Sequence, residues 1–308
     1  MIIIDREFYG LCEEIKSLDE KEMYYRMRKA FDKVPEVTRK SCENFFNKFG
    51  FWGKLDSEKG IFEEIALKQI ALKDHIDDFV RLYEKLCDFR SKKTLFSILS
   101  NWYRYDFKST SRTKENLFDD YFDHDILKCS PDEVIADLGA YTGDSVISYI
   151  KNYGEDCYKK IYCYEITPST FEKLKQNLAG YKNIIFRNCG IGDRQETLCL
   201  ANRNNDVSSN TLSANGEKSV KVTTLDEDIN EPLTLIKADI EGYELKAIHG
   251  AKNHIANEKP RLLISVYHNN DHLWQIPETI NSYNDSYKFY LRYNSSPIYP
   301  TEITLFAV

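Results

Sequence analysis

An α/β sheet with helices on both faces, preceded by an all-α N-terminal domain, is the architecture this sequence predicts. Three observations lead there. Residues 1–115 carry apolar residues at helical intervals and show no strand alternation. From Asn116 onward short apolar runs alternate with amphipathic stretches, as in a largely parallel sheet covered by helices. One of those runs, Val134-Ile135-Ala136-Asp137-Leu138, delivers a carboxylate and turns through Gly139 and Gly143 into a helix. At 308 residues the chain exceeds a typical single domain, and the composition divides it into residues 1–115 and 116–308.

The clearest N-terminal helix is expected over 61–87, where Ile61, Ile65, Ile70, Ile76, Phe79, Val80, Tyr83, Leu86 and Cys87 recur between charged residues. Such a stripe needs a partner surface, either the protein's own core or a second copy in a homo-oligomer. An aromatic stretch, 96–107, then leads into Lys108-Ser109-Thr110-Ser111-Arg112-Thr113-Lys114, whose polarity predicts an exposed connector.

Beyond it, strands are expected at 134–138, 160–164, 183–188, 233–238, 262–266, 286–292 and 302–307. The second ends by presenting Glu165, and Pro168 opens the helix that follows, with Phe171, Leu174 and Leu178 on one face. Between the third and fourth strands, 189–230 is long and polar. Turn signals at Asn202-Arg203-Asn204-Asn205-Asp206 and Asn215-Gly216 predict a hairpin of 197–202 with 219–224 beside the ligand crevice.

The turn after the first strand has the form needed to hold a nucleoside. Gly139 permits a sharp turn, and Gly143 permits close approach to a ligand. A carboxylate at the end of the second strand, here Glu165, takes both hydroxyls of a ribose. The spacing is G-x-x-x-G-D rather than the G-x-G-x-x-G that cradles a pyrophosphate, which argues against a nicotinamide dehydrogenase. A cofactor with a ribose and adenine but no phosphate fits better, and S-adenosylmethionine is one. Asp137 orients the turn or meets the methionine ammonium; its plainer role is to cap the next helix.

Composition narrows the rest. A hydrophobic content of 42% suffices for a packed core. The net charge of −7 and pI near 5.5 argue against nucleic-acid binding, although Lys92, Lys93, Arg104, Lys108, Arg112 and Lys114 form a local basic strip. The eight cysteines include no C-x-x-C pair, and Cys87, Cys163 and Cys189 sit in apolar runs, so reduced thiols are expected. The opening Met1-Ile2-Ile3-Ile4-Asp5 has too short an apolar run for a signal peptide, and no segment reaches the length of a membrane span. A cytoplasmic protein is the expectation.

With Leu235-Ile236-Lys237-Ala238-Asp239-Ile240-Glu241-Gly242-Tyr243-Glu244 and then Ile248-His249-Gly250-Ala251, the chain resembles the FkbM family of S-adenosylmethionine-dependent methyltransferases. The resemblance covers about 117–308. It includes the Asp-Leu-Gly-Ala turn, Tyr164-Glu165-Ile166-Thr167-Pro168, Thr224-Leu225-Asp226, Leu263-Ile264-Ser265-Val266-Tyr267-His268 and Leu273-Trp274-Gln275-Ile276-Pro277. It implies a class I methyltransferase fold, a Rossmann-like seven-stranded sheet whose last strand is antiparallel, with methyl transfer to an oxygen of a sugar or natural product. Two departures stand out. Tyr141 replaces the middle glycine of the wider superfamily's turn. Tyr290-Leu291-Arg292-Tyr293-Asn294-Ser295 lacks the histidine of the family's corresponding stretch.

On this reading the cofactor site is made by Asp137, Gly139, Ala140, Tyr141, Gly143, Asp144, Ser145, Glu165, Ile166, Asn188, Cys189 and Asp239. Methyl transfer to oxygen needs alignment and removal of a proton. Asp239 and Glu241 leave the fourth strand and His268 leaves the fifth, so these three are the catalytic candidates, with His268 as base because imidazole titrates near neutrality. The plainer roles are a loop histidine bonded to a carbonyl and, for Glu241, a charge at a helix N-terminus. Asp239 with His268, Asn269 and Asp271 also offers metal donors, but hard cations want more oxygen ligands, and no resident metal is expected. Tyr243, Tyr267, Asn269, Trp274 and Arg292 are candidates for the acceptor pocket, aromatic faces suiting sugar rings and a guanidinium suiting an anion. The rival from another class is a non-catalytic scaffold that binds a partner through its N-terminal helices.

Overall fold

In the computed structural model, which describes residues 2–202, 210–213 and 218–308, the chain forms two units. The first comprises Met1–Asn116, Val266–Gln275 and Lys288–Ile303; the second comprises Leu117–Ser265, Ile276–Tyr287 and Thr304–Val308. The expected turn residues Arg203–Asp206 and Asn215-Gly216 lie outside the described residues.

The first unit is built on helices α1 (Ile3–Ser17), α2 (Glu20–Asp32), α3 (Glu36–Phe49), α4 (Glu63–Lys85), α5 (Phe89–Arg104) and α6 (Phe107–Ser111). Aspartates start three of them. Asp19 accepts from Glu22 N, Asp88 from Ser91 N and Asp106 from Ser109 N, each satisfying a donor the first turn leaves orphaned. A two-residue pairing of β1 (Leu55–Asp56) with β2 (Ile61–Phe62) precedes α4. It is too short to leave an alternation pattern, and so was not predicted.

The apolar stripe of α4 also departs from expectation. Ile70 is 50% exposed, whereas Glu64 and Lys68 are buried as an ion pair, with the Tyr105 hydroxyl donating to Glu64 at 3.1 Å. The helix is kinked at His75 (φ −119°, ψ 18°), but Ile70 precedes the kink and is exposed because, at about 3.6 residues per turn, it lies opposite Lys68, Leu72 and Phe79. Cys87, expected inside, is exposed. The polar run 108–114 is no simple exposed connector. Its first half belongs to α6, Thr110 is fully buried, and the Ser97 and Ser109 hydroxyls bond at 2.7 Å.

In the rest of the chain β3 (Val134–Leu138), β4 (Lys160–Tyr164) and β5 (Ile184–Arg187) come first. They are followed by the short β6 (Gly190–Ile191), β7 (Glu196–Asn202), β8 (Asn210–Ser213) and β9 (Lys218–Thr223). Then come β10 (Leu235–Ala238), β11 (Arg261–Ser265), β12 (Phe289–Tyr293) and β13 (Ile303–Ala307). The seven-stranded sheet has the order β12-β13-β11-β10-β3-β4-β5. Its central pairs are parallel and β13 runs antiparallel to β11, as the resemblance implies. All five residues of β3 are buried, as expected for a strand covered on both faces. The expected pairing of 197–202 with 219–224 is present, β7 antiparallel to β9 with Cys199 opposite Ser219, but not as a hairpin: β8 intervenes and pairs with the other edge of β7, in a small four-stranded sheet of order β6-β9-β7-β8. The intervening helices are α7 (Asp144–Tyr153), α8 (Pro168–Asn177), α9 (Leu225–Asp228), α10 (Glu244–Gly250), α11 (Lys252–Asn257) and α12 (His272–Tyr283). Among the described residues no helix is long and apolar enough to cross a membrane.

Candidate functional site

β10, β3 and β4 end together, because the register sets Ala238 beside Leu138 and Leu138 beside Tyr164. The loops that leave these carboxyl ends therefore share one edge of the sheet, where α/β folds form their ligand crevice.

The first loop is shaped by Gly139, at φ 78°. A Cβ there would lie 2.0 Å from the carbonyl oxygen of Asp239, so only glycine fits. The turn is held from the other side as well, Gly139 N and Ala140 N both donating to the Tyr164 carbonyl at 3.0 and 2.9 Å. Gly143, expected to make room for a ligand, instead makes room for Leu178: a Cβ at φ 90° would meet that side chain at 2.9 Å. Tyr141, where the superfamily has glycine, keeps a glycine-like φ of 46° and is 40% exposed. For a residue with a Cβ this conformation costs about 1–2 kcal/mol.

Beneath the turn lies a buried ion pair. Lys237 Nζ is 3.1 Å from Asp137 Oδ1 and donates to the Gly139 carbonyl at 2.9 Å, while the Ser145 hydroxyl donates to the other Asp137 oxygen. Burial alone would lower the pKa of Lys237, but Asp137 and Asp239 outweigh it and hold the pKa above the ordinary lysine value. The lysine therefore stays charged. Ala140 is buried beside it, and Asp144 is exposed at the start of α7.

Glu165 follows β4 and is 7% exposed, its Oε1 accepting from Thr167 N at 2.6 Å. Burial raises its pKa above the usual glutamate value, only partly opposed by hydrogen bonds from Thr167 and the Tyr141 backbone. A carboxylate oxygen has more than one lone pair, and the two hydroxyls of a ribose are donors of the right kind for it. Asn188 donates from Nδ2 to the Glu165 carbonyl at 2.7 Å. Burial pushes the Cys189 thiol up to about 11, so it is uncharged at neutral pH. Ile166 and Tyr243 pack on Val220 and Val222 of β9, which ties the small sheet to the crevice loops.

At the end of β10, Asp239 Oδ2 accepts from the Tyr121 hydroxyl at 2.8 Å, and that hydroxyl lies 3.1 Å from Ser265 Oγ at the end of β11. Tyr121 is itself held at φ 67°. Glu241 and Gly242 follow, both left-handed, at φ 56° and 99°. The helix then begins at Glu244 rather than Glu241. It is Glu244, fully buried, that closes the turn by accepting from Ile240 N at 2.9 Å and Gly242 N at 3.3 Å. The helix-start role considered for Glu241 belongs to Glu244.

Sequence reasoning missed Lys237, Glu244 and Tyr121. Lys237 had a signal, as a lone charge in the apolar run of β10, and Glu244 stood in the same motif. Tyr121 had none, being 118 residues from its partner.

The other candidates lie in the first unit. His268 stands three residues after the end of β11, is 4% exposed, and is flanked by the rings of Tyr267 and Phe51 at 4.1 and 5.2 Å. The Tyr267 carbonyl accepts from Trp52 Nε1 at 2.7 Å. Asn269 is exposed, its Oδ1 accepting from Asp271 N at 3.0 Å. Trp274 stacks on His75 at 4.4 Å. Arg292, considered for an anionic acceptor, is buried and donates to Asp88 Oδ2 at 2.7 Å and to Ser91 Oγ at 3.0 Å. Its charge is already matched at the start of α5.

Residues 137–293 match a family model described as the methyltransferase FkbM domain. Among solved structures the chain is similar to the methyltransferase FkbM from Methylobacillus flagellatus KT, with 24% identity and a TM-score of 0.70, over 86% of this chain and 66% of that one. The chain thus spans slightly under two thirds of that protein's length. It also matches the fibrillarin of Aeropyrum pernix, crystallised with natively bound S-adenosyl-L-methionine, with 12% identity and a TM-score of 0.39, over 65% of this chain and 74% of that one. No curated protein matches it.

Proposed function

The chain belongs to the FkbM methyltransferase family, and on that premise we propose that it is an O-methyltransferase acting on a hydroxyl of a sugar, glycan precursor or related small molecule in the cytoplasm. Its cofactor is S-adenosylmethionine, which supplies when bound an electrophilic methyl group on a sulfonium. The observation that carries the cofactor assignment is the buried carboxylate of Glu165 at the end of β4, beside the turn that only glycine at 139 permits. Glu165 holds the ribose, Asp137 and Lys237 fix the turn, and Asp239 shapes the acceptor side under the hold of Tyr121. His268 is the base that takes the hydroxyl proton, with Glu241, Tyr243, Tyr267, Asn269 and Trp274 as acceptor contacts. Arg292, neutralised by Asp88, is left out.

Titration with S-adenosylhomocysteine and with NAD tests the cofactor, and transfer of labelled methyl from S-adenosylmethionine to a panel of sugars tests the acceptor. Binding of NAD in place of S-adenosylhomocysteine, or methylation confined to nitrogen or carbon acceptors, would overturn the reading. Glu165→Ala weakens S-adenosylhomocysteine by about 2–4 kcal/mol, the loss of two hydrogen bonds to a charged acceptor. The fold survives, as circular dichroism should show. In the wild type, ribose hydroxyls favour the ionised carboxyl and protonation competes with them. Affinity therefore falls as the pH drops through the raised Glu165 value, and that dependence is absent from Glu165→Ala. An unchanged dissociation constant in the variant would remove Glu165 from the site.

A further inference from the structure

The proposed reaction uses no part of a hollow of about 530 Å³ where α2 and α5 end in the first unit. That is ample for a small molecule. On α2 and the two residues that follow it, two neighbouring rows line it, Tyr25, Lys29 and Lys33 along one and Arg26, Ala30 and Val34 along the other, each at four-residue spacing. Ala30, a single methyl between long side chains, leaves the space open. Tyr103, Arg104 and Tyr105 close the far side, where α5 ends with Tyr105 left-handed at φ 54°.

Charge then selects the occupant. The Glu14 carboxylate in this hollow accepts from the Tyr103 hydroxyl at 2.9 Å and is paired with Arg104 and, at 3.5 Å, with Arg26. Arg26 also pairs with Glu22 at 2.7 Å. Two arginines are thus balanced by two glutamates. Lys29 and Lys33 make no ion pair among the described residues, which leaves a local surplus of two positive charges in a chain of net charge −7. The partial negative charge of a helix C-terminus, about half a charge, offsets this only in part. Beside the lysines the ring of Tyr25 is 56% exposed, with Lys29 Nζ 5.5 Å from its centroid. A dianion joined to a ring with one apolar face matches both features.

We propose that this hollow binds a phosphorylated sugar, the phosphate between Lys29 and Lys33 and the sugar ring against Tyr25. The site needs no methyl transfer, so it stands or falls separately from the proposed function. The test is calorimetric titration of the full chain at low salt with glucose 6-phosphate, glucose and inorganic phosphate. Glucose 6-phosphate should bind at least ten times more tightly than either fragment, because only it engages ring and cations together. Lys29→Met with Lys33→Met, and separately Ala30→Trp, which fills the hollow, should each weaken it at least tenfold. Circular dichroism and thermal unfolding of the same variants should stay as in the wild type, which shows that they fold. The proposal is overturned by an absence of saturable binding, by inorganic phosphate binding as tightly as the sugar phosphate, or by affinities indifferent to both sets of substitutions.

Discussion

Replacing His268 with alanine lowers methyl-transfer turnover by about 10²–10⁴-fold and leaves S-adenosylhomocysteine affinity nearly unchanged, the loss expected when a positioned base is removed. That range is about 2.7–5.5 kcal/mol of barrier. The expectation rests on position and surroundings. His268 comes three residues after β11, on the chain that leaves the carboxyl end of a central strand, and it is 4% exposed between the rings of Tyr267 and Phe51. An imidazole so enclosed is held in few orientations, and holding a base in place is most of what catalysis by a base requires. Equal activity in the wild type and His268→Ala would end the assignment. Loss of activity on chelation with recovery in magnesium would replace it by a metal-assisted reaction.

The sheet was legible from sequence because its central strands are buried on both faces and so read as short apolar runs. β3 and β4 begin and end as expected, and β10 differs by two residues at its start. The reading failed where one side chain answers to partners far away in the chain. Gly143 reads as a ligand glycine from its place in the turn between strand and helix, but the space it leaves is taken by Leu178. Glu241 looked like the charge that starts a helix, since sequence alone does not show that two left-handed residues delay that start to Glu244. Arg292 looked like an anion-binding group until its anion proved to be Asp88, 204 residues away. In the helical unit the stripe drawn on α4 fails at Ile70 because that position lies opposite the face of Lys68, Leu72 and Phe79 on a helix of about 3.6 residues per turn. Periodicity reports an element's own geometry; partners across the fold leave no such trace.

Lys237→Met should destabilise the protein by about 3–5 kcal/mol, the cost of leaving one member of a buried ion pair without the other. Asp137 would keep its hydrogen bond from Ser145 but lose its countercharge, and the Gly139 carbonyl would lose the donor that fixes the turn. The sign with pH follows from the direction of the shift. Lys237 is held above its ordinary value, with burial lowering it and the Asp137 and Asp239 carboxylates raising it further. Its contribution is therefore complete below the ordinary lysine value, and is lost as the pH rises through the raised one. Urea unfolding of wild type and variant should show a constant gap at neutral pH that narrows in strong alkali. The double variant Asp137→Leu, Lys237→Met distinguishes pairing from packing. It removes both charges and should recover much of the stability, since apolar replacement of a buried pair is often neutral or better. It should not recover S-adenosylhomocysteine binding, because the Gly139 turn would remain unbraced. A Lys237→Met protein as stable as the wild type would show that the pair under the turn contributes nothing to the fold, and recovery of binding by the double variant would show that it contributes nothing to the site.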